Sequence, residues 1–349
     1  MTHAEIDVLP AGRKEIEDLT KRYLEGVRSV QFKGLEQTKE LYAVLFRPIA
    51  DVATKSRLTV VADGQLHLLP FDALVDDQGR YVVHSHVVSY SPSATVLSVL
   101  RGRQEEAVAV RPFLGVGGIV YDKSQTLMAQ AAASNSVSGR VLRGLYDLAG
   151  LKLPNLSQSK EEVLYAGRLA GSESVFLMGS NATKSAFESE PLKDFRVIHF
   201  AVHSVTSPKY PERDALVLAK DERKGDDGLL QVREILNLPF KADLVTLSAC
   251  DTGAGKLQGE EGVTNLVQAF LLAGAKTVVA SLWGADDQYT ASLMERFYSH
   301  LAEGEDKAAS LRLAKIDMLQ KYGDQASPFL WAGFIIVGDG SSAVSFKTP

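Results

Sequence analysis

Apolar positions along the chain follow two periods, and the change from one to the other organises it. Ile16, Leu19, Tyr23, Leu24 and Val27 recur at steps of three and four, and Leu35, Leu41, Leu45 and Phe46 continue the pattern. That spacing predicts helix over residues 13–50. RLTVVA (57–62) predicts a short strand, and Asp63-Gly64 after it is a turn signal of the hairpin type. YVVHSHVVSY (81–90) alternates and predicts another strand. SPSATVLSVL carries a serine cap into a helix, and RPFLGVGG (111–118) returns as a strand. Residues 120–158 hold QAAASNSVSG and LPNLSQS, weakly periodic and rich in small polar residues, which reads as an insertion or mobile loop.

From residue 159 a strand–helix rhythm takes over. SVFLM (174–178), RVIHFAV (196–202), DLVTLSA (243–249), KTVVASL (276–282) and GFIIVG (333–338) are candidate strands. Helical patterns lie between them, around 160–170, 183–188, 231–237, 262–273, 288–303 and 306–321. Near-continuous apolar strands separated by helices predict an α/β fold, a mostly parallel sheet with helices on both faces, preceded by a short helical arm.

Composition narrows the function classes. Across 349 residues, 38 Lys and Arg stand against 43 Asp and Glu, a net charge of -5 with no basic stripe, which argues against nucleic-acid binding. One cysteine excludes an intrachain disulfide and a multi-thiolate zinc site, and fits a reducing compartment. No apolar run approaches the roughly 20 residues that span a bilayer. The start, MTHAEIDVLPAGRKE, lacks a signal-peptide layout. The expectation is a soluble, cytoplasmic protein with no membrane partner.

In open parallel sheets, ligands bind beyond the carboxyl ends of the strands. RVIHFAV runs out at His203, followed by Ser204, and DLVTLSA runs out at Cys250, followed by DTGAG. If these strands are neighbours, thiol and imidazole project from one edge as a Cys–His dyad. A free thiol has a pKa of about 8.5, so an imidazole beside it is needed to take the proton. Each residue alone has a plainer reading, Cys250 as a small core hydrophobe and His203 as an ordinary strand-end histidine. His199 and His203 share an H-x-x-x-H spacing. On an extended chain they stand about 13 Å apart, too far for one ion, so His199 reads as a core histidine and no metal site is expected. His67, His84 and His86 read as structural. A phosphatase Cys-x5-Arg fails because Lys256 stands at the arginine position, and a P-loop fails because Cys250 replaces the first glycine and Leu257 follows the lysine.

VIHFAVHS, ADLVTLSACDTGAG, GEEGVTNLVQAFLLAGAKTVVASLWGADD and PFLWAGFIIVGD resemble the successive blocks of CHAT domains, caspase-like and separase-like cysteine peptidases common in bacteria. LYAVLFRPIAD, VVADGQLHLLPFDAL and YSPSATVL are similar to that family's N-terminal blocks, so the resemblance runs over roughly residues 40–340. It implies a caspase-like fold and a cysteine endopeptidase with His203 as general base, Cys250 as nucleophile and no cofactor. It implies oxyanion donors at the backbone N–H groups of Cys250 and Ser204, the latter where the family usually has glycine. It also implies that Ser281, Leu282 and Trp283 pair with an extended protein or peptide substrate. By analogy with separase-like enzymes, Asp286 or Asp287 selects a basic residue before the cut. The plainer reading makes both of them helix N-terminal residues, as for Glu260 and Glu261.

The expected division is a helical arm (1–56), a non-catalytic part (57–175) carrying the 120–158 insertion, and a catalytic part (176–349). CHAT domains usually sit beside controlling repeat modules, and the arm is too short for one. Control by a regulatory protein partner, or by the 120–158 segment at the cleft, is therefore expected. A non-catalytic scaffold that binds an extended peptide, and a small-molecule hydrolase or acyltransferase using the same dyad, remain open alternatives.

Overall fold

The computed structural model describes residues 6–27, 35–49, 51–102, 109–121, 153–205, 207, 210–221, 226–248, 260–284, 286–323 and 326–346. Helices α1 (Arg13–Val27) and α2 (Leu35–Leu45) form the expected arm, and α1 turns Ile16, Leu19, Tyr23, Leu24 and Val27 inward. Strands β1 (Arg57–Val60) and β2 (Val87–Tyr90), helix α3 (Ala94–Gly102) and strand β3 (Arg111–Gly117) follow. Next come α4 (Ser159–Ala170), β4 (Val175–Met178), α5 (Lys184–Ser189) and β5 (Phe195–Phe200). A small excursion carries β6 (His203–Val205), β7 (Ala215–Val217), β8 (Leu229–Gln231) and α6 (Val232–Ile235). The chain finishes with β9 (Leu244–Leu247), α7 (Glu260–Leu272), β10 (Thr277–Ser281), α8 (Asp287–Ala302), α9 (Lys307–Tyr322), α10 (Pro328–Trp331) and β11 (Phe334–Gly338).

Eight strands make one sheet in the order β1-β2-β11-β10-β9-β5-β3-β4, and β6-β7-β8 make a second, antiparallel one. The large sheet is parallel except between β10 and β11, so β1, β2 and β11 run against the other five. Strands from both sides of residue 175 interleave in it, with β3 lying between β4 and β5. Among the described residues no helix is long and apolar enough to cross a membrane.

Alternation along β5 assigns the two faces. Phe200 packs between Phe187 of α5 and Phe270 of α7, with ring centroids 5.1 and 5.7 Å away. His199 points to the other face, where α4 and α8 lie. Its Nδ1 is 2.8 Å from Tyr298 Oη of α8, and its Nε2 is 2.8 Å from Glu162 Oε1 of α4. Tyr298 Oη also meets Thr246 Oγ1 of β9 at 2.8 Å. All four residues are buried, and burial pushes the Tyr298 phenol far above its usual range, so it stays protonated. His199 is thus a partnered core histidine that ties two neighbouring strands to two helices.

Helix α4 approaches the sheet closely because glycine stands on both sides of the contact. A Cβ on Gly115 of β3 would lie 2.3 Å from Val163 Cγ1, and one on Gly167 of α4 would lie 2.3 Å from the Phe176 ring.

Three local expectations are corrected. Asp63-Gly64 makes no hairpin: β1 and β2 are parallel, and Gly64, at φ 56°, opens a 3-10 turn. The segment after it buries Leu68, Leu69, Phe71 and Leu74, too much apolar chain to double back in a tight turn. In YVVHSHVVSY only Val87–Tyr90 is strand; Val82–His84 forms a 3-10 turn that buries Val82 and Val83. β5 stops at Phe200, and His203 begins the separate small sheet instead of ending RVIHFAV. Of the expected 120–158 insertion, residues 122–152 lie outside the described residues; residues 120, 121 and 153–158 are described.

Two variants test the packing. Tyr298→Phe deprives His199 Nδ1 and Thr246 Oγ1 of a buried partner and is expected to cost about 1–3 kcal/mol, read as a lower denaturant midpoint at unchanged slope. Gly115→Ala is expected to cost about 1–3 kcal/mol by overpacking, and adding Val163→Ala should recover part of it. No recovery in the double variant would mean that the clash lies elsewhere.

Candidate active site

The adjacent pairing of β5 and β9 builds the site. Their parallel register sets Val197 against Leu244, His199 against Thr246 and Phe200 against Leu247. It continues one step further, where the Ser248 N–H donates to the Phe200 carbonyl at 2.8 Å. The two chains therefore leave the sheet together, beyond their carboxyl ends. Ser248 is buried, and its hydroxyl has no hydrogen-bond partner among the described residues. Residues 249–259, Cys250 among them, lie outside the described residues.

His203 is wholly buried at the start of β6. Its backbone N–H donates to Tyr121 Oη at 3.2 Å, and that hydroxyl donates onward to the Val217 carbonyl at 2.8 Å. The Tyr121 ring stands edge-on to the imidazole, 4.6 Å between centroids. On the ring itself, Nε2 lies 2.7 Å from the Pro154 carbonyl oxygen. A carbonyl only accepts, so Nε2 carries the proton, and in the neutral ring Nδ1 is left as the basic nitrogen. Burial lowers the His203 pKa below the ordinary imidazole value, and the Pro154 carbonyl and the Asp287 charge oppose that shift without cancelling it.

Segment 153–159 reaches His203 from across the fold and is tied down at three points. Ser159 Oγ donates to the Leu156 carbonyl at 2.7 Å and accepts from the Gly118 N–H at 3.2 Å. Ser157 Oγ and the Gln158 N–H both donate to Asp287 Oδ2, at 3.0 and 2.8 Å. Asp286 caps α8 through the Gln288 N–H at 2.9 Å and is otherwise exposed. The helix N-terminal reading of this acidic pair describes Asp286 directly, whereas Asp287 reaches out of its helix to the start of α4.

The remaining expected site residues fall into two places. Ser204 is buried in β6 opposite Leu216. Ser281 ends β10 opposite Phe334, and its hydroxyl donates to the Trp283 carbonyl at 2.7 Å. The Leu282 N–H donates to the Gly333 carbonyl at 2.8 Å, and the Trp283 indole N–H to the Phe329 carbonyl at 3.0 Å. Leu282 lines a cavity of about 50 Å³ together with Tyr90, Val267 and Ile335. Glu260 opens α7. Among the described residues no cluster of His, Cys, Asp and Glu could hold a metal ion.

Tyr121, Pro154, Ser157 and Gln158 were not found from the sequence. Pro154 acts through its main-chain oxygen, which no residue pattern marks, and all four fall in the stretch whose composition reads as an insertion.

Comparison with known proteins bears on the fold and the family. The mature and pro-domain complex of the Porphyromonas gingivalis protease RgpB, an Arg-specific cysteine proteinase, superposes with a TM-score of 0.51 at 8% identity, covering 97% of this chain and 79% of that one. That likeness shows the caspase-like α/β fold. Tetratricopeptide repeat protein 28 of Homo sapiens is 25% identical over 351 aligned residues, and that of Mus musculus 27%. Each match takes in 89% of this chain, which spans only 13% of either relative's length. The CHAT domain profile matches residues 35–339, and with most of its length inside that match the chain belongs to the CHAT domain family.

Proposed function

We propose that the chain is a cysteine endopeptidase in which Cys250 is the nucleophile and His203 the general base. The observation that carries this is the state of His203: a buried imidazole whose Nε2–H is committed to the Pro154 carbonyl, three residues beyond the carboxyl end of β5, the strand that pairs with β9. Phe200 and Leu247 are level in the register, and the chain reaches His203 and Cys250 three residues beyond each. Two peptide steps hold the Cys250 Cα within about 7.6 Å of that of Ser248.

The reaction follows from this placement. The Cys250 thiol gives its proton to His203 Nδ1, and Sγ attacks the scissile carbonyl carbon. The N–H groups of Cys250 and the Ser204 region meet the oxyanion. His203 passes its proton to the leaving amine, and the C–N bond breaks to leave a thioacyl enzyme. Water, deprotonated by the same nitrogen, then releases the acid and restores the thiol. Residues Ser281–Trp283 meet the extended substrate, and Asp286 receives a basic side chain, a reading its exposure supports. The scheme needs no cofactor or metal. It suits the cytoplasm, where the thiol stays reduced. The repeat proteins among the relatives support control by a protein partner.

Incubation of the full chain with a proteome-derived peptide library, read by mass spectrometry, tests the proposal. Cuts made by the wild type are expected to vanish in Cys250→Ala and His203→Ala. A folded wild type that makes no cuts, and whose Cys250 alkylates no faster than an ordinary thiol at neutral pH, would favour the peptide-binding scaffold instead.

The lowered His203 pKa fixes the sign of the pH dependence. The base works when neutral, so the acidic limb of kcat/KM is expected below pH 6.5, the ordinary imidazole value. The unfolded chain takes up a proton there before the folded one does. His203 therefore contributes stability above about pH 6.5 that is lost as pH falls. An acidic limb above that value would exclude His203, as it stands here, from the role of base.

A further inference from the structure

We infer that Asp287 is a positioning residue for His203: from the first turn of α8 its carboxylate holds segment 154–158, whose Pro154 carbonyl orients the imidazole. This rests on the endopeptidase reading and assigns Asp287 a task other than selecting the residue before the cut.

Both ends of the linkage are rigid. Helix α8 is fixed to the sheet through Tyr298, which meets His199 of β5 and Thr246 of β9. Helix α4 is fixed through Glu162 on His199 and through the close approach of Val163 to Gly115. Gln158 immediately precedes α4, so its N–H belongs to the electropositive end of that helix, where a carboxylate binds best. Asp287 Oδ2 accepts from this N–H and from Ser157 Oγ at once, at 2.8 and 3.0 Å. Four residues further back, the Pro154 carbonyl meets His203 Nε2 at 2.7 Å. Pro154 has little slack. Its ring limits the backbone, Leu153 beside it is buried, and the Leu156 carbonyl is held by Ser159. A carboxylate already accepting two hydrogen bonds from this strap is poorly free to meet a substrate cation. Asp286, exposed and bound only to the Gln288 N–H of its own helix among the hydrogen bonds described, has an oxygen to offer.

Losing the Asp287 contact lets the Pro154 carbonyl drift. A misplacement of about 1 Å in catalytic geometry costs about 100-fold in rate. The groups around the imidazole set the second effect. Among the groups described there, Tyr121 and the Pro154 carbonyl are neutral, and Asp287 supplies a charge that raises the His203 pKa alongside the Pro154 hydrogen bond.

The experiment compares wild type with Asp287→Ala, Asp287→Asn and Ser157→Ala in the full chain. It reads kcat and KM on substrates with and without Lys or Arg before the cut, the NMR titration of the His203 ring, and hydrogen exchange of the Gln158 amide. Asp287→Ala is expected to lower kcat by about 10- to 100-fold, by the same factor for every substrate, with KM within about twofold and faster exchange at Gln158. Asp287→Asn keeps an acceptor and loses the charge, so it should lose less rate yet move the His203 titration and the acidic limb to lower pH. Ser157→Ala should follow Asp287→Ala in direction with a smaller loss, and their combination should be less than additive.

A KM increase confined to basic substrates, with the His203 titration and Gln158 exchange unmoved, would overturn the assignment and return Asp287 to the specificity pocket. If the wild type cuts nothing, the endopeptidase reading fails by itself. The His203 titration and Gln158 exchange, measured on the folded protein, still decide whether Asp287 positions the ring. Should Asp287→Ala not fold, the Asn variant carries the same two readouts.

Discussion

The register between β5 and β9 is the constraint on which the rest of the structure depends. A slip of one residue in a strand would turn its side chains to the opposite face, and these two strands are buried on both faces. Phe200 would lose Phe187 and Phe270, and His199 would lose Glu162 and Tyr298. A polar network and an aromatic cluster on opposite faces thus enforce one alignment. That alignment delivers the two chain exits to one edge, and everything chemical in the proposed site follows from where those exits point.

The same network explains how helices far apart in sequence serve a single site. Tyr298 hydrogen-bonds both strands, and Glu162 reaches β5 from α4. The N-termini of α4 and α8 are thereby set against each other, and there Asp287 receives Ser157 and Gln158. An apolar core could hold two helices against a sheet but would tolerate small slides between them. Hydrogen bonds among buried groups tolerate less, because a partner left unmade costs the full desolvation of the group. The geometry at His203 depends on that difference.

Much of this was legible in the sequence, and the parts that were not share a cause. Strands such as KTVVASL and GFIIVG are apolar runs bounded by helical patterns, and side-chain period alone locates them to within a residue or two. The parallel course of β1 and β2 was hidden because Asp63-Gly64 is a local turn signal, while the burial of Leu68, Leu69 and Phe71 that overrides it is tertiary. His203 was identified as a chemical candidate, yet its place in a second sheet depends on β7, whose ALV is too short to stand out of SPKYPERDALVLAKDERKGDDG. Pro154 is the sharpest case. Its contribution is a main-chain oxygen, and any residue could have supplied one, so no pattern of side chains records it.

That choice of partner has a chemical consequence. A carboxylate against Nε2 would hold the ring equally well but would favour the imidazolium, raising the pKa and leaving less free base at neutral pH. A carbonyl fixes the tautomer and orientation while adding only a dipole, so burial prevails and His203 rests neutral, ready to accept a proton. In the proposed acylation an imidazolium would form, and so buried a place calls for some compensation of its charge. The Pro154 hydrogen bond supplies part of it, and Asp287 adds its charge from one loop away, its oxygen occupied by Ser157 and Gln158. Separating orientation from charge between two groups allows each to be set independently, which a single carboxylate on the ring would not permit.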